Sequence, residues 1–141
     1  MDLELITEGS VFTIYGMTSG EPVTQFLEKL RKMDRVEYAR IDHRITQMAE
    51  RGASRYQDEF NNLGSGLFEM KSRGGTRIIF FYDKGFLVIC THGFAKKSQK
   101  TPCRQLELAR ARKTEYEQHR RQSGCFKLIL QKGQQEPERQ P

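Results

Sequence analysis

Apolar residues are concentrated in three short runs near the middle of the chain, and turns separate these runs. The runs are Leu67–Lys71, Thr76–Tyr82 and Phe86–Phe94, and the last two are rich in β-branched and aromatic residues. Ser72–Gly75 and Asp83–Gly85 lie between them and contain glycine, which adopts positive φ angles without steric cost. The pattern predicts a three-strand antiparallel meander at the centre of the fold.

The segment before the meander predicts one strand and a helical hairpin. Ser10–Tyr15 alternates as a short strand, Glu21-Pro22 opens a helix that breaks at Met33–Arg35, and a second helix covers Val36–Arg51 and ends at Gly52. A polar connection then leads to the meander. The apolar positions that we expect to pack on the sheet are Val23, Phe26, Leu27, Leu30 and Met33, then Tyr38, Ile41, Ile45 and Met48.

The segment after the meander predicts a last helix and a tail. Thr101 is expected to cap a helix over Pro102–Gln122, with proline at its first position. Its inner side is weakly apolar, which favours packing over the sheet edge: Leu106, Ala109, Lys113, Tyr116. Phe126–Leu130 is either an added edge strand or a segment that docks a partner, and Gln131–Pro141 has a disordered composition.

The expected fold class is therefore α+β. An N-terminal strand and a helical hairpin pack on a small antiparallel sheet, the three-strand meander, and a C-terminal helix follows. We expect residues 1–125 to form one domain, and residues 126–141 to be a short apolar segment with a flexible tail. A chain of 141 residues is long enough to bury a sizeable core.

Composition limits the class of protein. No apolar run approaches the roughly 20 residues that cross a bilayer, and the N-terminus lacks the pattern of a signal peptide, so no membrane contact is expected. Three widely spaced cysteines argue against a disulfide framework and favour a reducing, cytoplasmic location. Cys90, within an apolar strand, is expected to pack as a small hydrophobic residue.

Positive charge is localised in one stretch of the chain. The whole chain carries +6, whereas Lys71–Arg104 alone contains eight basic residues and one acid, Asp83, for a net charge of +7. Any one of these lysines, taken alone, is best explained as a solubilising surface residue. Together, with so few compensating acids, they favour a polyanionic partner, most often a nucleic acid.

Several kinds of catalytic site are absent from the sequence. Gly64-Ser65-Gly66 precedes a strand and not a helix, which excludes a phosphate-binding loop of the P-loop or dinucleotide type. The histidines, His43, His92 and His119, do not have the spacing of zinc ligands. The basic region has no paired carboxylates, which argues against a two-metal nuclease. No cofactor and no metal are expected.

A cluster of cations remains as the candidate site. Arg77 is expected at the rim of the central strand, and His92 near the end of the next strand, before Gly93, where a backbone can approach a ligand. Lys96, Lys97 and Lys100 follow in a loop. Such side chains hold a phosphate, and a lysine crowded by cations has a lowered pKa and can act as a base. Residue types alone favour binding over catalysis.

Four segments resemble the RelE/ParE superfamily of bacterial toxins, and in particular its phage-derived HigB-like branch. They are Glu21–Leu30 (EPVTQFLEKL), Gly66–Lys71 (GLFEMK), Thr76–Phe81 (TRIIFF) and His92–Pro102 (HGFAKKSQKTP). The last of these is the most specific. The resemblance covers roughly Val11 to Glu117, and the tail after Gly124 has no counterpart.

The resemblance implies the toxin of a type II toxin–antitoxin pair. Members of this branch resemble ribosome-dependent mRNA endoribonucleases that need no metal and are neutralised by a cognate antitoxin, typically a helix-turn-helix protein. By motif position, Arg77, Lys96 and Lys97 would be catalytic, and Tyr116 is a candidate acid or base. The implied RNA-binding residues are Lys71, Arg73, His92, Lys100 and Arg104.

One departure from the pattern leaves an alternative open. Lys71 stands where the branch has arginine, so the charge is kept but the bidentate fork is lost; nearby Arg73 is a candidate to compensate. The alternative is a non-catalytic relative, either a gyrase inhibitor of the ParE type or a phage-derived RNA-binding module. The dense lysine cluster favours the ribonuclease, because it suits a phosphate backbone.

Overall fold

In the described part of the chain, seven strands form one mixed sheet with helices on both of its faces. A computed structural model of the chain describes residues 2–95, 101–123 and 127–129. Lys96, Lys97 and Lys100, and the predicted tail apart from 127–129, lie outside these residues. The elements are β1 Asp2–Glu8, β2 Thr13–Met17, α1 Val23–Met33, α2 Arg35–Arg51, β3 Phe60–Gly64, β4 Leu67–Lys71, β5 Thr76–Asp83, β6 Leu87–Ala95, α3 Cys103–Ser123 and β7 Lys127–Ile129.

The sheet is larger than the sequence predicted, and it is not purely antiparallel. Its strand order is β3-β4-β5-β6-β2-β1-β7. Strands β3 to β6 pair antiparallel in chain order, whereas β2 lies parallel to β6, and β7 lies parallel to β1. The prediction of a small antiparallel sheet is therefore wrong. Three further strands, β1, β3 and β7, enlarge the sheet, and β2 lies parallel to β6 because the two helices connect β2 to the strands that follow them.

Two strands were missed in the sequence. In β1, Leu3 and Leu5 are buried and alternate with partly exposed Asp2 and Glu4, a period-two pattern that was available in the printed sequence. In β3 only Phe60 is buried, and its Asn-Asn-Leu-Gly sequence is typical of a loop. Pairing with β4 makes it a strand, so tertiary context overrides its low propensity.

The predicted helix ends are close to those observed. Asp34 separates α1 from α2, and its side chain accepts a hydrogen bond from the Glu37 backbone N–H at 3.1 Å. Gly52 ends α2 with a φ of 86°. Thr101, however, does not cap α3: its hydroxyl donates to Glu69, and the Pro102 carbonyl accepts the first helical hydrogen bonds.

The two faces of the sheet bury separate apolar clusters. Helices α1 and α2 pack on one face, as predicted, with Val23, Leu27, Ile41, Ile45 and Met48 buried against strand residues such as Ile78, Phe80 and Val88. Met33, predicted to join them, is 84% exposed. Cys90 is fully buried in this cluster, which confirms its packing role, and burial raises the pKa of its thiol to about 12.

Helix α3 covers the opposite face of the sheet and not its edge. Ala109 and Tyr116 are buried against Ile79, Phe81 and other strand residues. The prediction of edge packing was wrong. It rested on the low apolar content of the helix, but one buried alanine and one buried tyrosine are enough to pack α3 on the two central strands, β5 and β6. Among the described residues no helix is long and apolar enough to cross a membrane.

Candidate functional site

Two cross-strand rows that each contain two polar residues, called the polar rows below, lie on the α3 face of the sheet at one end of the central strands. Lys71 pairs with Arg77, which pairs with Phe94, across β4, β5 and β6. In the second row, two residues further along these strands, Glu69 pairs with Ile79, which pairs with His92. Residues directly opposite on neighbouring strands have Cα atoms about 5 Å apart, so both cations lie side by side on one face.

Glu69 connects the sheet to the start of α3. Its Oε1 accepts a hydrogen bond from Arg77 Nη1 at 2.8 Å, and its Oε2 accepts one from Thr101 Oγ1 at 2.7 Å. Arg77 lies near the start of β5, as predicted, but it is only 5% exposed, and Glu69 is fully buried. Because Thr101 directly follows the segment 96–100, Glu69 fixes the point at which that basic segment returns to the described fold.

His92 is buried and hydrogen-bonded on both sides of its ring. Its Nε2 lies 2.8 Å from Oε1 of Gln105 in α3, and its Nδ1 lies 3.1 Å from Thr91 Oγ1. Burial lowers the pKa of His92; the hydrogen bond to Gln105 opposes that shift, and the charge of Arg112 adds to it. The ring is therefore neutral at pH 7, and it joins β6 to α3 instead of offering a positive charge to RNA.

Gly93 makes room for a side chain of the protein and not for a ligand. A Cβ at this position would lie 2.5 Å from the ring of Phe26 in α1. The expected approach of a ligand to the Gly93 backbone is therefore wrong, because Phe26 fills that space.

Arg112 is a residue of this region to which the sequence assigned no role, although it continues the family pattern in the helix after the basic loop. Its Nη1 donates to the Thr91 carbonyl at 3.0 Å, and its guanidinium lies against Gly20. Thr91 is the extra residue of a β-bulge, since Ile79 pairs with His92 whereas Phe80 pairs with Cys90. Arg112 thus connects the bulge to α3, and the sequence signal for it was its match to the family pattern in that helix.

Arg73 lies away from Lys71 and Arg77. It lines a groove with residues of α2, on the other side of the sheet. Lys71 itself is 8% exposed. The suggestion that Arg73 replaces the missing fork at Lys71 is therefore not supported by its position. Arg104, in the first turn of α3, is exposed.

Tyr116 lies at the far end of the α3 face. Its hydroxyl donates to Asp83, which also accepts from Arg120, and its ring packs edge-on against Phe81 at 5.1 Å between centroids. Phe81 is four residues from Arg77 along β5, which corresponds to about 13 Å. Tyr116 and Arg77 therefore do not belong to one cluster, and the contacts of Tyr116 are those of a residue that anchors α3.

The Lys71–Arg77–Glu69 arrangement suits an anion better than a metal. Two cations against one carboxylate leave a net positive charge, and like charges directly opposite in a sheet cost stability. Buried ionisable groups held at such a cost are typical of functional sites. In the described ranges no three histidine, cysteine, aspartate or glutamate side chains come together as candidate metal ligands.

One family model matches more than half of the chain. Residues 28–114 match the family described as Phage derived protein Gp49-like (DUF891), and the chain belongs to that family. The family is part of the RelE/HigB-like toxin group and is associated with toxin ribonucleases. No curated protein matches the chain. The match includes α2, the four strands β3 to β6 and the first half of α3, so it contains both polar rows.

Proposed function

We propose that this protein is the toxin of a type II toxin–antitoxin system and a metal-independent endoribonuclease that cleaves mRNA on the ribosome. Membership of a phage-derived, toxin-like family supports the toxin part of the proposal. The observation that carries the ribonuclease part is the buried pair Lys71 and Arg77, set side by side next to the end of β6, where the basic segment begins.

The reaction needs little beyond charge stabilisation and proton transfer, because RNA supplies its own nucleophile. The 2′-OH attacks the adjacent phosphorus, the O2′–P bond forms and the P–O5′ bond breaks. The 2′-OH proton passes to a base, and the leaving O5′ takes up a proton. The products are a 2′,3′-cyclic phosphate and a 5′-OH end. Cations that contact the phosphate stabilise its extra negative charge in the transition state.

Roles follow from position and charge. Lys71 and Arg77 stabilise the phosphate from the sheet, with Glu69 orienting the guanidinium of Arg77. Lys96 and Lys97 act in phosphate binding or proton transfer, while Lys100 and Arg104 bind the RNA backbone. His92 supports this site as a neutral residue between β6 and α3. The partner that restrains the toxin is a cognate antitoxin, and the site of action is the cytoplasm.

A non-catalytic RNA-binding module is the second candidate. The specific observation in its favour is that Arg77 is paired with Glu69 and that both ring nitrogens of His92 have partners, which leaves these two groups poorly placed for proton transfer. In that case the same cations would hold an RNA backbone without cleaving it.

Primer extension on abundant mRNAs after induced expression in a bacterial host separates these functions. The proposal predicts growth arrest and new 5′ ends within coding regions, lost in Arg77→Ala and in Lys96→Ala. Growth arrest with intact mRNA would indicate another target, such as gyrase. Full cleavage by both variants would show that the assigned site is wrong. Binding of RNA without cleavage or arrest would favour the non-catalytic module.

A further inference from the structure

A basic groove lies on the side of the sheet away from Lys71 and Arg77. It has a volume of about 610 Å³ and lies between the N-terminal half of α2 and the β4–β5 turn. Its lining residues are Arg35, Val36, Ala39, Arg40, His43, Arg44 and Arg73. Four arginines therefore surround two small aliphatic side chains, and none of these seven residues of the described chain is acidic.

Glu37 fixes the shape of this groove. Its carboxylate accepts hydrogen bonds from the Ser72 hydroxyl and from the Thr76 backbone N–H, the latter at 3.4 Å. Gly74 permits the contact, since a Cβ there would collide with the carboxylate. Burial raises the pKa of Glu37, but the hydrogen bonds outweigh burial and lower it overall. An ionised Glu37 thus ties the turn that carries Arg73 to α2.

The positive charge of the groove is only half compensated. Arg40 Nη1 lies 3.4 Å from Glu37, and Arg44 Nη1 lies 3.5 Å from Glu59. Arg44 is further held by the Lys71 carbonyl, which its Nε contacts at 2.9 Å. No ion pair joins Arg35 or Arg73 to another residue in the described part of the chain. Two guanidinium groups therefore remain available to an anionic ligand.

The apolar floor of the groove decides what kind of anion it fits. Val36 is 62% exposed, although it is a β-branched apolar residue, and Ala39 beside it is exposed as well. Surfaces that bind single-stranded nucleic acid combine cations with aromatic side chains on which the bases stack. The described lining has no phenylalanine, tyrosine or tryptophan, and its one ring, that of His43, is not enough for a row of stacked bases. An aliphatic floor ringed by arginines instead complements a peptide with an apolar side chain between carboxylates.

We propose that this groove binds an acidic segment of a partner protein, in which carboxylates flank an aliphatic side chain. The aliphatic side chain covers Val36 and Ala39, and the carboxylates pair with Arg35 and Arg73. Because the groove and the Lys71–Arg77 cluster lie on opposite sides of the sheet, such a partner leaves the polar rows uncovered. Naming that partner as the antitoxin rests on the proposed function, whereas the chemistry of the groove does not.

The test is an NMR titration of the isotope-labelled full chain with a short synthetic peptide that has the core Glu-Glu-Leu-Glu-Glu. Three matched ligands serve as comparisons: the peptide with glutamine for glutamate, the peptide with glycine for leucine, and a single-stranded RNA of similar length. The protein variants are the double change Arg35→Gln with Arg73→Gln and, as a control, Arg110→Gln, which removes an exposed arginine of α3. Circular dichroism melting verifies that each variant is folded.

The proposal predicts shifts of the Val36, Ala39 and Arg73 amides with the acidic peptide. We expect about tenfold weaker binding in the double variant, unchanged binding in Arg110→Gln, and weaker binding of both altered peptides. Equal binding of the glutamine peptide, shifts confined to other surfaces, or no shifts at any peptide concentration would overturn it. Tighter binding of RNA at these same amides would reassign the groove to nucleic acid. None of these outcomes depends on RNA cleavage, so the proposed function can fail separately.

Discussion

The two faces of the central sheet differ in what they bury. Against α1 and α2, the central strands bury apolar side chains such as Ile78, Phe80 and Val88. Against α3, the same strands add Glu69, Lys71, Arg77 and His92 to an apolar cluster. Buried charges cost free energy even when they are paired. On the first face the buried carboxylate of Glu37 belongs to α2 and holds the β4–β5 turn, whereas on the second face the strands themselves bury Glu69, Lys71 and Arg77. This difference is our reason for proposing that the site lies on the α3 face.

The largest expected effect comes from removing the buried carboxylate of the α3 face. Glu69→Ala deletes the acceptor of hydrogen bonds from Arg77 and Thr101 while their polar groups remain buried, so we expect a loss of about 3–5 kcal/mol in unfolding free energy. Urea denaturation measures it. The matched change on the apolar face, Ile78→Val, is expected to cost about 0.5–1.5 kcal/mol. Equal costs would remove the contrast between the faces.

A change at Gly93 tests the contact between the β6 backbone and the ring of Phe26 on the apolar face. Gly93→Ala drives a methyl group into the ring of Phe26, and such overpacking costs about 1–3 kcal/mol. The smaller side chain of Phe26→Leu, combined with Gly93→Ala, should recover part of that loss relative to the sum of the two single changes. Chemical denaturation of the four proteins gives the coupling, and strict additivity would contradict the contact.

A milder change tests whether Tyr116 is an anchor. Tyr116→Phe keeps the edge-on contact with Phe81 but loses the hydrogen bond to Asp83, which should cost about 1 kcal/mol. RNA cleavage should remain at the wild-type rate once the variant is measured below its melting temperature. A severe loss of cleavage with an unchanged melting temperature would instead make Tyr116 part of the reaction.

The smallest expected effect is a dependence of stability on pH from His92. Because its pKa is lowered in the folded state, the unfolded chain binds more protons, and stability falls as pH drops below the ordinary histidine pKa. We expect a loss of stability between pH 7 and pH 5 that is absent in His92→Gln. The exposed His43 gives the control, since His43→Gln should keep the loss. The lowered pKa of Glu37 acts at more acidic pH.

The sequence predicted the elements with strong local signals. Alternation and glycine turns placed β4, β5 and β6, and helical spacing placed α1 and α2, each within a few residues. The polar β3 was not predictable because its strand conformation comes from pairing with β4. The parallel pairing of β2 with β6 is likewise a long-range property, which local periodicity cannot predict. The alternation in β1, in contrast, was visible and overlooked.

The candidate site was predictable only in its residue types. The strand pattern correctly put Arg77 on one face with Ile79 and Phe81. It did not identify Glu69 as the partner of Arg77, because the two residues lie diagonally opposite each other on the neighbouring strands β4 and β5. Charge counting treated Lys71, Arg73 and Lys84 as one patch. The fold separates them onto the α3 face, the α2 groove and the β5–β6 turn. The net charge of a stretch of sequence does not predict on which face of the fold each charged residue lies.

The most direct test of the central claim compares RNA cleavage by Lys71→Met and Tyr116→Phe, two variants at opposite ends of the α3 face. Methionine keeps most of the length of the lysine side chain and removes its charge, so the sheet should stay folded. The account predicts that Lys71→Met loses cleavage by about 100-fold or more while its melting temperature holds, and that Tyr116→Phe cleaves normally. Normal cleavage by Lys71→Met together with a loss in Tyr116→Phe would place the site at the other end of the sheet and contradict the account.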